Sequence, residues 1–117
     1  MTTRIVKYIL ILSVLAAPVL AQDWQKLDGL EIEKALSAQT LDFGQATQDF
    51  LPDGRTSYKT KEKSWGRWKV KYGQYCSIWP PSDVWVCYDI EKKDVGLWLR
   101  FIGKDGNIFT GRYVDRD

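Results

Sequence analysis

The stretch YCSIWPPSDVWVCY, residues 75–88, contains both cysteines of the chain and is almost symmetric about a Pro-Pro pair. Aromatic and β-branched residues stand on both sides of the prolines, as in two antiparallel strands joined by a turn. Cysteines that face each other on adjacent strands are close enough to form a disulfide. The stretch therefore predicts a β-hairpin closed by a bond between Cys76 and Cys87, with a four-residue loop over residues 80–83.

The first 21 residues have the pattern of a secretory signal peptide. Two basic residues precede an apolar run over residues 8–19, and Val19-Leu20-Ala21 suits a signal peptidase site. The run is shorter than the ~20 residues that a membrane-spanning helix needs. We therefore expect cleavage after Ala21, which leaves residues 22–117 as one disulfide-bonded domain in the periplasm or outside the cell, without a membrane span.

Charge is balanced overall but unevenly distributed. The whole chain has 17 basic and 15 acidic residues, and loss of Arg4 and Lys7 with the signal peptide leaves 15 of each. Residues 55–71 carry seven Lys or Arg against Glu62 alone. Such a segment attracts an anionic partner. The acidic residues of segment 23–53 offer the alternative that this positive charge is compensated within the molecule.

One short helix is predicted near the start of the domain. Asp28 and Glu31 form a D-x-x-E pattern before the apolar residues Ile32, Ala35 and Leu36. A carboxylate at the N-cap with a Glu three residues later is typical of a capping box. We therefore expect a helix that ends near residue 37.

After the helix, turn signals recur at the spacing of short strands. They lie at Asp53-Gly54, Trp65-Gly66, Gly73-Gln74, Pro80-Pro81, residues 91–94 and Asp105-Gly106. The pattern predicts a mainly β fold, in which the helix is followed by an antiparallel meander of about seven strands that forms a small barrel or a strongly curved sheet.

The hairpin register predicts which residues share a face of the sheet. With Cys76 opposite Cys87 and a two-residue Gly73-Gln74 turn before the hairpin, one face is aromatic and apolar, as expected of a core. Its members are Trp68, Val70, Tyr72, Tyr75, Trp79, Val84, Val86 and Tyr88.

The opposite face combines apolar and basic side chains. There Ile78 and Trp85 lie beside Arg67, Lys69 and Lys71, and we call these five residues the outer patch. An aromatic side chain surrounded by cations is typical of a binding surface. The alternative is that the helix or the N-terminal segment covers Ile78 and Trp85, with the lysine stems lying over them.

Catalytic patterns are missing from the sequence. The chain has no His, the commonest general base at neutral pH, and a disulfide removes both thiols. We therefore expect no enzyme, no metal site and no cofactor. Basic residues interleaved with aromatic ones superficially resemble a nucleic-acid surface, but an amphipathic strand produces the same pattern and a secreted, charge-neutral domain argues against nucleic acid.

Several motifs resemble a family of small secreted alphaproteobacterial proteins of unknown function. They are S-x-G-R-W-x-V at 64–70, C-S-x-W-P-P at 76–81, W-x-C-Y at 85–88, F-I-G-x-D-G at 101–106 and G-R-Y at 111–113. The resemblance covers residues 29–113. It implies a periplasmic, disulfide-bonded, β-rich domain that begins with a short helix, and it supplies no catalytic residues.

Two functions follow as hypotheses. The first is a periplasmic binding or interaction module that contacts an envelope protein or an anionic envelope component through the outer patch. The second is a small-molecule carrier with an aromatic-lined barrel cavity, although small barrels are usually filled by side chains. The expected cavity residues are Trp68, Tyr72, Trp79 and Trp98. Neither hypothesis specifies an oligomeric state.

Overall fold

The computed structural model describes residues 23–93 and 95–115, so the predicted signal peptide lies outside the described residues. The described chain forms one helix and nine strands. They are β1 (Gln25–Lys26), α1 (Gly29–Leu36), β2 (Gln39–Asp42), β3 (Thr47–Phe50), β4 (Arg55–Lys59), β5 (Lys63–Lys71), β6 (Gln74–Ile78), β7 (Val86–Lys93), β8 (Trp98–Gly103) and β9 (Ile108–Tyr113).

Strands β2 to β9 form a closed antiparallel barrel. Each pairs with the next along the chain, and β9 pairs back with β2 through Leu41 opposite Tyr113 and Asp42 opposite Arg112. The two-residue strand β1 pairs with β7 and precedes the helix. The prediction of a mainly β fold is confirmed, with eight strands in the barrel instead of about seven in the meander.

Helix α1 closes one end of the barrel. The predicted capping box is present, because the Asp28 side chain accepts a hydrogen bond from Glu31 N at 2.8 Å and Glu31 Oε1 accepts one from Asp28 N at 2.8 Å. Ile32 and Leu36 are 0% exposed on the barrel side of the helix. The helix packs against β2, β5 and β6, and the Tyr113 hydroxyl donates to Ala35 O.

The half of the barrel below this helix is filled by side chains. Phe50 lies at its centre, with ring centroids 5.8 Å from Trp68 and 5.7 Å from Tyr75, both in edge-to-face geometry. The full cluster of buried apolar residues is Leu27, Ile32, Leu36, Leu41, Phe50, Trp68, Tyr75, Ile90, Leu99, Phe101 and Tyr113.

The hairpin register confirms the predicted disulfide. Cys76 pairs with Cys87 across β6 and β7, and their sulfurs are bonded at 2.04 Å. The preceding turn is Tyr72-Gly73, one residue earlier than predicted, so Lys69 faces Cys76. Because this shifts the pairing by two residues, the inward and outward faces of β5 and β6 are unchanged. Tyr72 itself moves into the turn and is 91% exposed, which corrects its assignment to the core.

Two other core assignments are wrong. The loop after β6 extends over residues 79–85 and is longer than the predicted four residues. Val84 therefore lies in the loop, and Val86 lies at the first position of β7, at the end of the barrel. Both side chains are exposed.

Two predicted turns lie inside strands. Gly66 is in the middle of β5, where a Cβ atom would lie 2.5 Å from Ile78 O and 2.8 Å from the Trp79 ring. The glycine thus permits a close approach of the neighbouring strand and an indole, and it does not mark a chain reversal. Similarly, β7 continues through residues 91–93 before the chain turns.

Candidate ligand-binding cavity

A cavity of about 520 Å³ occupies the end of the barrel opposite the helix. The β5–β6 turn lies beside α1, since Gly29 approaches Gly73. In an antiparallel meander the connections alternate between the two ends. The loops β2–β3, β4–β5, β6–β7 and β8–β9 consequently gather at the other end and surround the cavity mouth.

Aromatic side chains form the walls of the cavity. They are Phe43, Tyr58, Trp79, Tyr88, Phe101 and Phe109. The rings contact one another edge to face around the wall: Tyr58 and Trp79 at 6.1 Å between centroids, and Tyr88 and Phe109 at 6.2 Å. Tyr58 and Phe109 are exposed at the mouth, whereas Phe101 is buried at the floor. The cavity therefore runs from an open aromatic rim to the filled half of the barrel.

Polar groups are concentrated at the cavity floor. Gln48 is only 7% exposed, and its Nε2 donates to Thr56 Oγ1 and to the Tyr75 hydroxyl, both at 3.0 Å. The Thr56 hydroxyl in turn donates to Asp49 O at 2.6 Å. Both amide hydrogens of Gln48 are thus used, and its Oε1 accepts no hydrogen bond from the described part of the chain.

Tyr75 extends this polar floor. Burial raises the pKa of the Tyr75 hydroxyl to about 12, against the opposing effect of hydrogen bonds to Ser77 and Gln48. Trp79 Nε1 donates to Ser77 Oγ at 3.2 Å. Burial also raises the pKa of Tyr88, with a smaller contribution from the Asp105 carboxylate. Tyr75 and Tyr88 are therefore neutral at physiological pH.

The cavity lining contains no Lys, Arg, Asp or Glu among the described residues. The remaining lining residues are Gln45, Ser64 and Pro80 at the mouth. Burying an ion without a counter-charge is strongly unfavourable, so this environment suits uncharged molecules.

The four residues predicted to line a cavity occupy different places. Trp79 lines it. Trp68 lies in the core below, where its Nε1 donates to Leu51 O at 2.9 Å. Tyr72 is in an exposed turn, and Trp98 is on the outside of β8, with the Arg112 guanidinium 5.9 Å from its ring centroid. The predicted lining is therefore corrected for Trp68, Tyr72 and Trp98.

The outer patch is assembled on the outside of β5, β6 and the loop that follows. Lys69 Nζ lies 4.0 Å from the centroid of the Trp85 ring, and Trp85 is 36% exposed. Arg67 pairs with Ile78 across the two strands, whereas Lys71 lies over the Tyr72 ring. Helix α1 is at the end of the barrel, so it leaves the Trp85 ring accessible.

Compensation of the basic segment by ion pairs is limited. Within residues 23–93 and 95–115, ion pairs join Lys26 with Asp89, Arg55 with Asp53, and Arg100 with Glu91. Of these, only the exposed pair at Arg55 involves segment 55–71. Hydrogen bonds from the backbone and side chain of Arg55 lower the pKa of the Asp53 carboxyl.

Sequence reasoning missed Gln48, although its position carried a signal. In the string Ala46-Thr47-Gln48-Asp49-Phe50, Gln48 occupies the alternating position of two apolar residues. Alternation on a strand places Gln48 on the inner face with Ala46 and Phe50. A polar residue on an apolar face is the pattern of a buried polar site.

In comparisons with known proteins, no family model, curated protein or solved structure matches the chain. Among the described residues, no helix has the length and apolar character needed to cross a membrane. The same part of the chain contains no group of three or more His, Cys, Asp or Glu positioned to hold a metal ion.

Proposed function

We propose that the protein is a periplasmic or secreted carrier that binds a small, largely apolar molecule in the open half of its barrel. The observation that supports this proposal is the cavity of about 520 Å³ with aromatic walls and a few polar groups at its floor. Ligand pockets typically have this volume and composition. Eight-stranded barrels are wide enough to hold one small ligand.

Binding would be driven by removal of apolar surface from water. Transfer of apolar surface contributes roughly 25 cal/mol per Å², and the exposed rim residues Tyr58 and Phe109 would cover part of the ligand. The edge-to-face contacts between the wall rings hold them in place, so little ordering is required when the ligand enters.

The neutral fluorescent probe N-phenyl-1-naphthylamine tests this proposal. We expect saturable enhancement of its fluorescence by the oxidised protein, and Phe109→Ala is expected to weaken binding severalfold. Ile108→Ala is the matched control, because Ile108 and Phe109 are adjacent on β9 and both 50% exposed, and Ile108 faces outward. Failure of the probe to bind, or equal effects of the two substitutions, would contradict the proposal.

A second candidate is the interaction module that uses the outer patch. Its support is the accessible Trp85 ring with Lys69 stacked on it, next to cations of β5 that lack ion pairs within the described residues. Such a surface suits an envelope protein or an anionic envelope component.

Affinity capture from a periplasmic extract tests this candidate. Trp85→Ala is expected to reduce partner capture by at least about tenfold, as for a central aromatic of an interface, with little change of thermal midpoint. Trp65→Ala is the control, since Trp65 is also exposed and stacked by cations but lies outside the patch. Unchanged capture together with a large loss of stability would assign Trp85 a structural role only.

A further inference from the structure

We propose that the cavity selects an uncharged ring compound that carries a hydroxyl group, and that the hydroxyl binds at Gln48 and Tyr75. This inference rests on the proposed carrier function and specifies its ligand class.

The first observation is the unused acceptor at Gln48. The side chain is 7% exposed, and both of its amide hydrogens are already donated, to Thr56 and Tyr75. Its Oε1 has no donor among the described residues. A buried acceptor without a partner is unfavourable, so a ligand that donates a hydrogen bond there gains affinity over one that does not.

The second observation is the neighbouring hydroxyl of Tyr75. Its oxygen accepts the hydrogen bond from Gln48 Nε2 at 3.0 Å, which leaves its own hydrogen for an acceptor such as a ligand oxygen. Gln48 and Tyr75 thus offer one acceptor and one donor side by side. A hydroxyl group, which both donates and accepts, satisfies both at once.

The third observation is the absence of charged side chains from the described cavity lining. A carboxylate or an ammonium group would be buried there without a counter-charge, which disfavours its binding. The aromatic walls attract cations weakly through their ring faces. In this wall, however, Tyr58 packs edge to face with Trp79 and Tyr88 packs edge to face with Phe109, so one ring face of each pair is already occupied.

A series of naphthalene probes separates these effects in the oxidised wild-type protein at pH 7. The probes are naphthalene, 2-naphthol, 2-methoxynaphthalene, 2-naphthoate and 2-naphthylmethylammonium, and calorimetry gives each dissociation constant. We expect 2-naphthol to bind at least about threefold more tightly than its methyl ether, which has no hydrogen to donate. The anion and the cation are each expected to bind at least about tenfold more weakly than 2-naphthol.

Replacing either of two cavity-lining glutamines by methionine tests which side chain is responsible for the preference for a hydroxyl group. Gln48→Met is expected to remove the preference for 2-naphthol over 2-methoxynaphthalene, whereas Gln45→Met, at the exposed mouth, is expected to keep it. If Gln48→Met does not fold, the wild-type probe series still decides. A chemical shift change at the Trp79 indole, assigned with Trp79→Phe, would place the bound probe in the cavity.

The outcomes distinguish the ligand class from the carrier function. Equal binding of naphthalene, 2-naphthol and the ether would overturn the proposed ligand class and leave the carrier function intact. Tightest binding of the cation or the anion would also overturn it. If no probe binds, the carrier function fails, and the ligand class fails with it.

Discussion

The helix end and the open end of the barrel are built from the same strands but have different interiors. Phe50 and Phe109 both face inward, yet Phe50 is completely buried and Phe109 is half exposed. The difference originates in α1, whose Ile32 and Leu36 fill one end, while only loops surround the other. An eight-stranded barrel of this size can thus contain a packed core at one end and a cavity at the other.

The largest expected effect is the difference in stability between two variants, each of which lacks one aromatic ring, in the helix half or in the open half of the barrel. Phe50→Ala is expected to lower the free energy of unfolding by about 3–5 kcal/mol, because it leaves a cavity in a packed region. Phe109→Ala is expected to lower it by less than about 1 kcal/mol, because the ring is half exposed. Urea unfolding followed by circular dichroism measures both. Equal losses would mean that the two halves do not differ in packing.

An intermediate effect on stability is expected at Gly66, where β5 contacts the cavity-wall residue Trp79. Gly66→Ala is expected to destabilise the protein by about 1–3 kcal/mol, since the added methyl group would overlap Ile78 O and the Trp79 ring. Gly29→Ala is the control, because its Cβ would lie 3.6 Å from the nearest side chain, on Val70.

The Trp79 indole signal in a nitrogen–proton spectrum gives a second measurement for this pair. It is expected to shift in Gly66→Ala and to remain in place in Gly29→Ala. An unshifted indole in both variants would show that the neighbouring strand, and not the cavity wall, absorbs the added methyl group.

A smaller effect on stability than that of Phe50→Ala or Gly66→Ala is expected at Tyr75, which lies between the two halves. The pKa of its hydroxyl is about 12 in the folded protein and about 10 in the unfolded chain. Between these values the unfolded chain loses the proton while the folded protein keeps it, so stability falls as pH rises from about 10 to about 12. Tyr75→Phe is expected to lose about 1 kcal/mol at pH 7 through the missing hydrogen bond, and to show a shallower alkaline decrease. Parallel curves of stability against pH for the wild type and Tyr75→Phe would show that titration of Tyr75 does not cause the alkaline loss of stability.

Much of the fold could be predicted from the sequence where a local signal set the register. The Cys76–Cys87 pair anchored β6 and β7, and the capping box of Asp28 located the helix. Because the error at the β5–β6 turn shifted the pairing by an even number of residues, Trp68 and Trp79 were still assigned to the inner face.

The candidate site was less predictable, because it depends on pairings that no local signal anchors. The sequence does not predict the register of β8, so the assignment of Trp98 to the cavity had no structural basis. In the observed register the Trp98 side chain lies on the outside of the barrel. Tyr72 is exposed instead of buried, because the β5–β6 turn lies one residue earlier than the sequence predicts. The role proposed for Gln48 depends on its hydrogen bond to Tyr75. Tyr75 lies on β6, whereas Gln48 lies on β3, so no local sequence pattern predicts this contact.

The pairing of β2 with β9 closes the barrel and joins strands from opposite ends of the described chain. The other seven barrel pairings join strands that follow each other along the chain, so they require only short loops to close. Closure joins Leu41 to Tyr113 across most of the described chain and carries a larger loop entropy. The cavity is therefore completed only when β9 docks, and a chain shortened before β9 would have strands but no enclosed cavity.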